Sequence, residues 1–309
     1  MYGHGTGGDY FDTTLDTEIA GGGIAKIGIQ FDGWTSEDVI TTFLGLVQVF
    51  QGSRHATGML MQALADATAI QSALTGTLGD ALSAPLIGGV ANPAAGRRPN
   101  PDNVLWTGGS LGGILGLVAA SADPNVHYGV LNVPGAAWTH FVPGSIIFSM
   151  ISGFLTSPYQ GELNALHAVA MSQGDWDEID GAIWSTKLSG RNAAFLIQES
   201  IGDPVVPNAG SEMVAVVTQA TQIGAVLTPI AAGIPTANEI DGASGITQYH
   251  VPDTAPLDIH GFAAKSTPAG LAARSQIASF ILSVYAGAPK ITVPAGCVGG
   301  SCDFSGGGG

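Results

Sequence analysis

The sequence predicts an α/β protein whose mainly parallel sheet is covered by helices. Three consecutive segments carry this prediction. "NVLWTGG" has the apolar pattern of a buried strand, "SLGGILGLVAASA" that of a helix starting directly from it, and "VHYGVLNVPG" that of a second strand. Strands that are apolar on both faces and are joined through a helix are typical of parallel sheets, because the crossover helix covers the sheet.

The other elements follow in order along the chain. "GIAKIGIQFDG" (residues 23–33) predicts a short buried strand between glycines. The three- and four-residue steps between apolar residues such as Leu60 and Leu64 predict a helical stretch from Ser36 to about Leu74. Further elements are a helical insertion over Trp138–Leu188, a strand over Asn192–Ser200, a helix over Pro207–Ala220, a strand near "ITQYHVP", and a final helix over Pro268–Tyr285 that buries Leu271, Ile277, Phe280, Ile281 and Val284.

These elements fit one domain, which we expect over residues 1–290, with the insertion at about 138–190 and a C-terminal tail over 291–309 that ends in glycines. Cys297 and Cys302 lie in this tail, in "GCVGGSC". Either they form a disulfide that closes a short loop, or they are free thiols in a flexible segment. A disulfide favours an extracellular or periplasmic location, although the sequence alone leaves the compartment open.

Composition excludes several classes of function. Lys and Arg number 9 against 24 Asp and Glu, and the net charge is -15. A nucleic-acid partner is therefore not expected, because a phosphate backbone requires a basic surface. No run of 18 apolar residues predicts a transmembrane segment, and no motif predicts a metal or a cofactor.

The candidate nucleophile is Ser110 in "WTGGSLGG". Gly108, Ser110 and Gly112 match the G-x-S-x-G pattern, and the predicted strand before them and helix after them supply the context that this motif requires. A serine on such a tight turn is lifted to the carboxyl edge of the sheet and lies at a helix N-terminus. The alternative is a Gly-rich turn in which Ser110 only caps the helix.

A serine hydroxyl needs a base and a carboxylate that orients the base. Asp203 follows a predicted strand in "LIQESIGDPVVPN", and His260 lies in "PLDIHGFAA" before the last helix. The succession of strand, "GDPVVPN" and late "HGF" resembles the second half of α/β-hydrolase lipases and esterases, a resemblance that extends over His4–Tyr285. It implies a catalytic triad of Ser110, Asp203 and His260.

Other interpretations of these residues stay open. Asp203 before proline also suits a turn. His250 is the rival base, although its place in the apparent strand "TQYHVP" favours a structural role, and Asp258 is expected only to shape the loop of His260. A solvated helix face is expected for the acids of the insertion, Asp175, Asp177, Glu178 and Asp180.

The first residues, "YGHGTGG", resemble the oxyanion loop of these hydrolases. The resemblance implies that the backbone N–H groups of Leu111 and Thr6 hold the oxyanion, whereas the alternative is a flexible Gly-rich N-terminus. The usual first strands are not found before this loop, so we expect an N-terminally shortened fold with a stump of the third strand at Met1 and Tyr2. Residues 23–30 then form an exposed sheet edge that invites self-association.

The function predicted is a serine carboxylic-ester hydrolase, lipase-like or esterase-like, which forms an acyl-enzyme. The apolar insertion favours neutral, hydrophobic ester or lipid substrates if its helices form a dry pocket wall, and the alternative is that these helices only pack against the sheet. Two alternatives remain: a catalytically inactive binding module with the same fold, and an acyltransferase or peptidase with the same triad.

Overall fold

The computed structural model describes residues 1–252 and 255–306, and a parallel sheet lies at its centre. The strands of the whole described structure, not all of which belong to this sheet, are β1 (Tyr2–Gly3), β2 (Gly28–Ile29), β3 (Leu86–Ile87), β4 (Val90–Ala91), β5 (Val104–Gly109), β6 (Val126–Asn132), β7 (Ala194–Ser200), β8 (Thr221–Ile223), β9 (Thr236–Ala237), β10 (Glu239–Asp241), β11 (Gly245–Tyr249) and β12 (Lys290–Thr292). Its helices are α1 (Asp16–Ile19), α2 (Val39–Gly45), α3 (Val49–Ala73), α4 (Thr77–Leu82), α5 (Leu111–Ala122), α6 (Trp138–Phe141), α7 (Ile146–Thr156), α8 (Glu162–Met171), α9 (Gln173–Trp176), α10 (Gly181–Trp184), α11 (Asn208–Val217), α12 (Pro256–His260) and α13 (Pro268–Tyr285).

Within the described residues the main sheet has eight strands in the order β2-β1-β5-β6-β7-β11-β8-β9. Every neighbouring pair in it is parallel. The predicted α/β class with a mainly parallel sheet is therefore confirmed. Because parallel strands share one carboxyl edge, the loops after β5, β7 and β11 all emerge on the same side of the molecule.

Helices cover both faces of the sheet. α3 and α5 pack on one face around the fully buried Trp106, and every residue of α5 from Leu111 to Ser121 is buried. α13 covers the other face, where Ile277 and Ile281 meet Leu105 of β5. Burial on both faces explains why β5 and β6 have continuous apolar runs in the sequence.

Two sequence expectations differ from the structure. The strand predicted over residues 23–33 is only two residues long, because Lys26 reaches instead to Asp16 and to the carbonyl oxygen of Asp12 and holds this segment against α1. α13 has the predicted bounds, but Leu271 is 54% exposed. Leu271 lies six residues before the buried Ile277, which places it about 240° away around the helix.

The insertion forms α6 to α10, which pack against α3, α5 and α11. Asp180 is fully buried there, so the expected solvated face is wrong at this position. Its carboxylate accepts hydrogen bonds from the backbone N–H groups of Ala137, Trp138 and Ala182, and it thereby joins the first turn of the insertion to α10. By itself no described helix is long and apolar enough to cross a membrane, although the bent pair Trp138–Gly144 and Ile146–Thr156 passes that test jointly.

The C-terminal segment contributes to a separate two-stranded sheet and is joined by a bridge between His250 and Asp303 to the segment after β11. β12 pairs antiparallel with β10, and Cys297 and Cys302 are joined in a buried disulfide. Two backbone hydrogen bonds hold the residues around the second cysteine. The N–H of His250 donates to the carbonyl oxygen of Cys302, and the N–H of Phe304 donates to the carbonyl oxygen of His250. The last glycines of the predicted tail, residues 307–309, lie outside the described residues.

Candidate active site

Ser110 occupies a sharp turn between β5 and α5. Its backbone has φ 54° and ψ -121°, a conformation that costs energy in any residue other than glycine, and its N–H donates to the carbonyl oxygen of Asn132 at 2.9 Å. A Cβ at Gly108 would overlap the backbone of Gly112, and one at Gly112 would overlap the carbonyl oxygen of Gly3. These contacts are the physical reason for the glycines two positions to either side of Ser110.

Asp203 and His260 are in direct contact. His260 Nδ1 lies 2.7 Å from Asp203 Oδ2, while Asp203 Oδ1 accepts hydrogen bonds from the N–H groups of Val205 and Val206 at 2.8 and 3.0 Å. These two donors fix the orientation of the carboxylate, whose side chain is only 1% exposed. With the Nδ1 proton directed at Asp203, His260 Nε2 carries the free lone pair of a base.

The turn that carries His260 is held from three sides. Ser200 Oγ donates to the carbonyl oxygen of Ile259, which ties α12 to the end of β7. Asp258 forms an ion pair with Lys265 at 2.5 Å, in keeping with the loop-shaping role expected for it. On α13, Arg274 donates to the carbonyl oxygens of Ala263 and Lys265. The imidazole is therefore supported by residues from three separate elements.

The N-terminal loop lies against the turn of Ser110. A methyl group on Gly5 would lie 3.3 Å from Ser110 Cβ. The buried His4 holds this loop, because its Nε2 accepts from the N–H of Phe31 and its Nδ1 donates to the carbonyl oxygen of Gly5. The bond that Nε2 accepts requires a neutral imidazole, and burial lowers the pKa of His4 below its usual value.

Ser110 and His260 line the same cavity, which has a volume of about 210 Å³. His260 Nε2 is buried, and no group among the described residues hydrogen-bonds to it, Ser110 Oγ included. Gly5 and Asn132 also line this cavity. Its other walls come from residues 12–26 and from α13, whereas the described residues that line it include none from the insertion, contrary to the expected pocket wall.

The structure thus brings some predicted residues together and separates others. Thr6 follows Gly5 on an exposed loop, and Leu111 is the first residue of α5, so both are sequence neighbours of residues that line the cavity. His250 lies elsewhere, with Nδ1 3.4 Å from Asp303 Oδ1 and 44% of its side chain exposed. Within the described residues, no group of three or more His, Cys, Asp or Glu side chains is placed to hold a metal ion.

Sequence reasoning missed a fully buried carboxyl group beside this site. Glu199 is in β7, and its Oε2 accepts a hydrogen bond from Gln248 Nε2 at 2.9 Å. Burial raises the pKa of Glu199 to about 7, and the charges of Glu212 and Asp203 act in the same direction. The signal in the sequence was an acidic residue in a largely apolar run. Glu199 lies one residue before the end of β7, the strand that precedes Asp203.

The order of the strands and the loops that carry these residues define the fold. Ser110 follows β5 and Asp203 follows β7, both at the carboxyl edge of a parallel sheet, and His260 lies between β11 and the last long helix. The chain has an α/β-hydrolase fold. In this fold, β1 and β2 lie at one end of the sheet, and β1 pairs with β5.

Known proteins with a structure similar to that of this chain are distant from it in sequence. No protein-family model and no curated protein matches the chain. Acetyl xylan esterase 1 from Thermoanaerobacterium sp. JW/SL YS485 is 15% identical with a TM-score of 0.45, over 92% of this chain and 73% of the esterase.

Two peptidases are also similar to the chain, which spans about a third of the length of each. The Pyrococcus horikoshii acylaminoacyl peptidase is 13% identical with a TM-score of 0.40, over 86% of this chain and 34% of the peptidase. A puromycin-hydrolyzing peptidase of Mycobacterium tuberculosis is 16% identical with a TM-score of 0.36, over 89% of this chain and 33% of the peptidase. Similarity at this level carries no information about the substrate.

Proposed function

We propose that the protein is a serine carboxylic-ester hydrolase that acts on neutral, hydrophobic esters. The observation that carries this proposal is the Asp203–His260 contact at 2.7 Å, in which His260 uses Nδ1 and keeps Nε2 without a partner among the described residues, while His260 and Ser110 line one cavity. A nucleophile and an oriented base that share one cavity are the two parts that acyl transfer requires. The mostly apolar lining of the cavity favours an uncharged substrate.

In the proposed mechanism Ser110 Oγ attacks the ester carbonyl while His260 Nε2 takes its proton. Asp203 stabilises the imidazolium that forms. The backbone N–H groups of Leu111 and Thr6 bind the oxyanion of the tetrahedral intermediate. When the ester C–O bond breaks, His260 returns the proton to the departing alkoxide, and water then attacks the acyl-enzyme by the same route.

The contact between Ser110 Oγ and His260 Nε2 is made only in part of this cycle. Such hydrogen bonds are often long without substrate and shorten in the complex. The strained backbone of Ser110 restricts where its Oγ can move, and the absence of a Cβ at Gly5 leaves space beside it. Closure of this contact on substrate binding is therefore part of the proposal.

The experiment combines a covalent probe with substitution of Ser110. A fluorophosphonate should label the wild type, and Ser110→Ala should abolish labelling and lower kcat for p-nitrophenyl esters by at least about a thousandfold. Alanine keeps the backbone strain of the turn, so the thermal transition should change little. Labelling that persists in Ser110→Ala would remove Ser110 from its role, and a wild type that reacts with no probe and no ester would favour an inactive binding module.

The partners of Ser110 are tested against a histidine outside the cavity. His260→Ala and Asp203→Asn should each lower kcat by orders of magnitude, because the asparagine amide stabilises the wrong imidazole tautomer. His250→Ala is the matched control, since His250 contacts Asp303 and not the cavity. Greater sensitivity at His250 than at His260 would contradict the assignment.

A further inference from the structure

The cavity beside Ser110 continues along one face of the sheet, away from the carboxyl edge. At its far end it is lined by Leu105, five residues before Ser110 in β5, and by Tyr285, eleven residues after Arg274 in α13. At about 3.3 Å per strand residue and 1.5 Å per helix residue, both elements give a length of roughly 16 Å. The cavity is thus a channel between the sheet and α13 that begins at Ser110.

The walls of this channel are mostly apolar. Buried side chains from α1 and the residue before it, from β5, from β6 and from α13 line it: Leu15, Ile19, Leu105, Val130, Ile277 and Ile281. Arg274 also lines the channel, but its guanidinium donates to Glu18 and to the carbonyl oxygens of Ala263 and Lys265. These bonds occupy its charge within the protein, so the channel favours a hydrocarbon over an anionic group.

We propose that this channel holds the acyl chain of the ester, with the carbonyl carbon at Ser110 and the methyl end near Leu105 and Tyr285. The inference rests on the proposed function, and it assigns the substrate class as esters of linear, medium-length acids. With bonds of about 1.52 Å and angles near 111°, an extended hydrocarbon advances about 1.25 Å per carbon. A channel of roughly 16 Å therefore accommodates about a dozen carbons.

If the channel holds the acyl chain, the residues that select the length of this chain lie outside the insertion. Residues 12–26 and α13 line the channel, whereas the insertion packs on the opposite face against α3 and α5. Substitutions on α13 should consequently change which acyl chain is preferred. Ile281 is the suitable position for a substitution, because it is 3% exposed and lines the channel about one helical turn before Tyr285 in α13.

The test measures kcat/KM for p-nitrophenyl esters from acetate to palmitate. Activity should rise to a maximum at about ten to twelve carbons and fall at longer chains. Ile281→Phe should lower the ratio of kcat/KM for dodecanoate to that for acetate by at least about tenfold, as expected when two or more methylenes lose their buried site. Ile281→Ala widens the channel before its far end and removes wall contacts from a long acyl chain, so it should shift the maximum to shorter chains.

Leu282→Phe is the matched control, since Leu282 is the next residue of α13, is 43% exposed and is not among the lining residues described. It should leave the chain-length profile unchanged. Thermal melts establish that each variant is folded. If Ile281→Phe does not fold, the shift in Ile281→Ala decides. A profile that is the same in wild type and Ile281→Ala would overturn the channel.

Binding of 1-decanol to the Ser110→Ala variant, measured by calorimetry, separates this inference from the proposed function. Decanol binding that Ile281→Phe weakens, together with a wild-type protein that hydrolyses no ester, would support the channel and refute the esterase. Ester hydrolysis without decanol binding and without a chain-length preference would refute the channel and leave the esterase standing.

Discussion

Glu199 is a carboxyl group that the fold keeps out of water next to the proposed catalytic acid. Its Oε2 accepts a hydrogen bond from Gln248, and no group among the described residues bonds to its Oε1. Burial is the largest cause of its raised pKa of about 7, against an ordinary value of 4.5. The folded state therefore binds a proton that the unfolded state has already released between these two pH values.

This difference predicts a loss of stability as pH rises. The group's contribution is fully present below pH 4.5 and is lost as pH rises through about 7, a change of roughly 3 kcal/mol in the free energy of unfolding. Glu199→Gln keeps the shape of the protonated side chain and removes the charge. Urea denaturation between pH 5 and 8 should therefore show a fall in wild-type stability relative to Glu199→Gln.

The exposed Glu37 provides the control, because Glu37→Gln should leave the pH dependence of the wild type in place. Equal pH profiles for wild type and Glu199→Gln would show that Glu199 is ionised in the fold at little cost. Glu199 precedes the turn of Asp203 in the chain. We therefore expect kcat, measured over the same pH range for wild type and Glu199→Gln, to report whether ionisation of Glu199 disturbs Asp203.

At the scale of elements, Asp180 sets how the insertion is attached to the rest of the molecule. Its two carboxylate oxygens accept from the N–H groups of Ala137, Trp138 and Ala182, and Oδ2 accepts also from Gln173 Nε2. The sequence pattern suggested a solvated face because three acids precede it within five residues. Periodicity could not show that the fourth acid turns inward to donors more than 40 residues earlier in the chain.

Asp180→Asn should destabilise the protein by about 2–4 kcal/mol, because one oxygen is replaced by an amide donor that faces backbone N–H groups. Glu178→Gln, two residues earlier and exposed, removes the same charge without a buried partner and should change stability by less than about 0.5 kcal/mol. Chemical denaturation measures both. A loss in Asp180→Asn no greater than that in Glu178→Gln would contradict the anchoring role.

At the scale of the whole molecule, the sequence predicted the strands, helices and turns that leave a local pattern in the order of residues. The apolar strands β5 and β7 and the helix α13 were found because burial on known faces leaves a periodic signal. The turn of Ser110 was found because steric crowding demands glycines at fixed spacing. The wall of the cavity was not found, because residues 12–26 and α13 are brought together by packing between segments more than 200 residues apart.

The length of β2 escaped prediction for a similar reason. Residues 23–33 have the composition of a strand, yet the side chain of Lys26 binds Asp16 and the carbonyl oxygen of Asp12, and pairing with β1 is limited to Gly28 and Ile29. A propensity scale weighs each residue in its own segment and contains no information about such partners.

The two ends of the sheet carry the last prediction, which concerns self-association. β2 and β9 are the edge strands, and each is two residues long. Short edges present few free backbone groups, so we expect association through β2 to be weak and to depend on concentration. Sedimentation over a range of concentrations should detect a minor dimer. Ala25→Lys beside β2 should reduce it, because a charged side chain blocks edge pairing, whereas Thr236→Lys in β9, with the same change of charge, should not. A monomer at every concentration, or a dimer sensitive only to Thr236→Lys, would contradict association through β2.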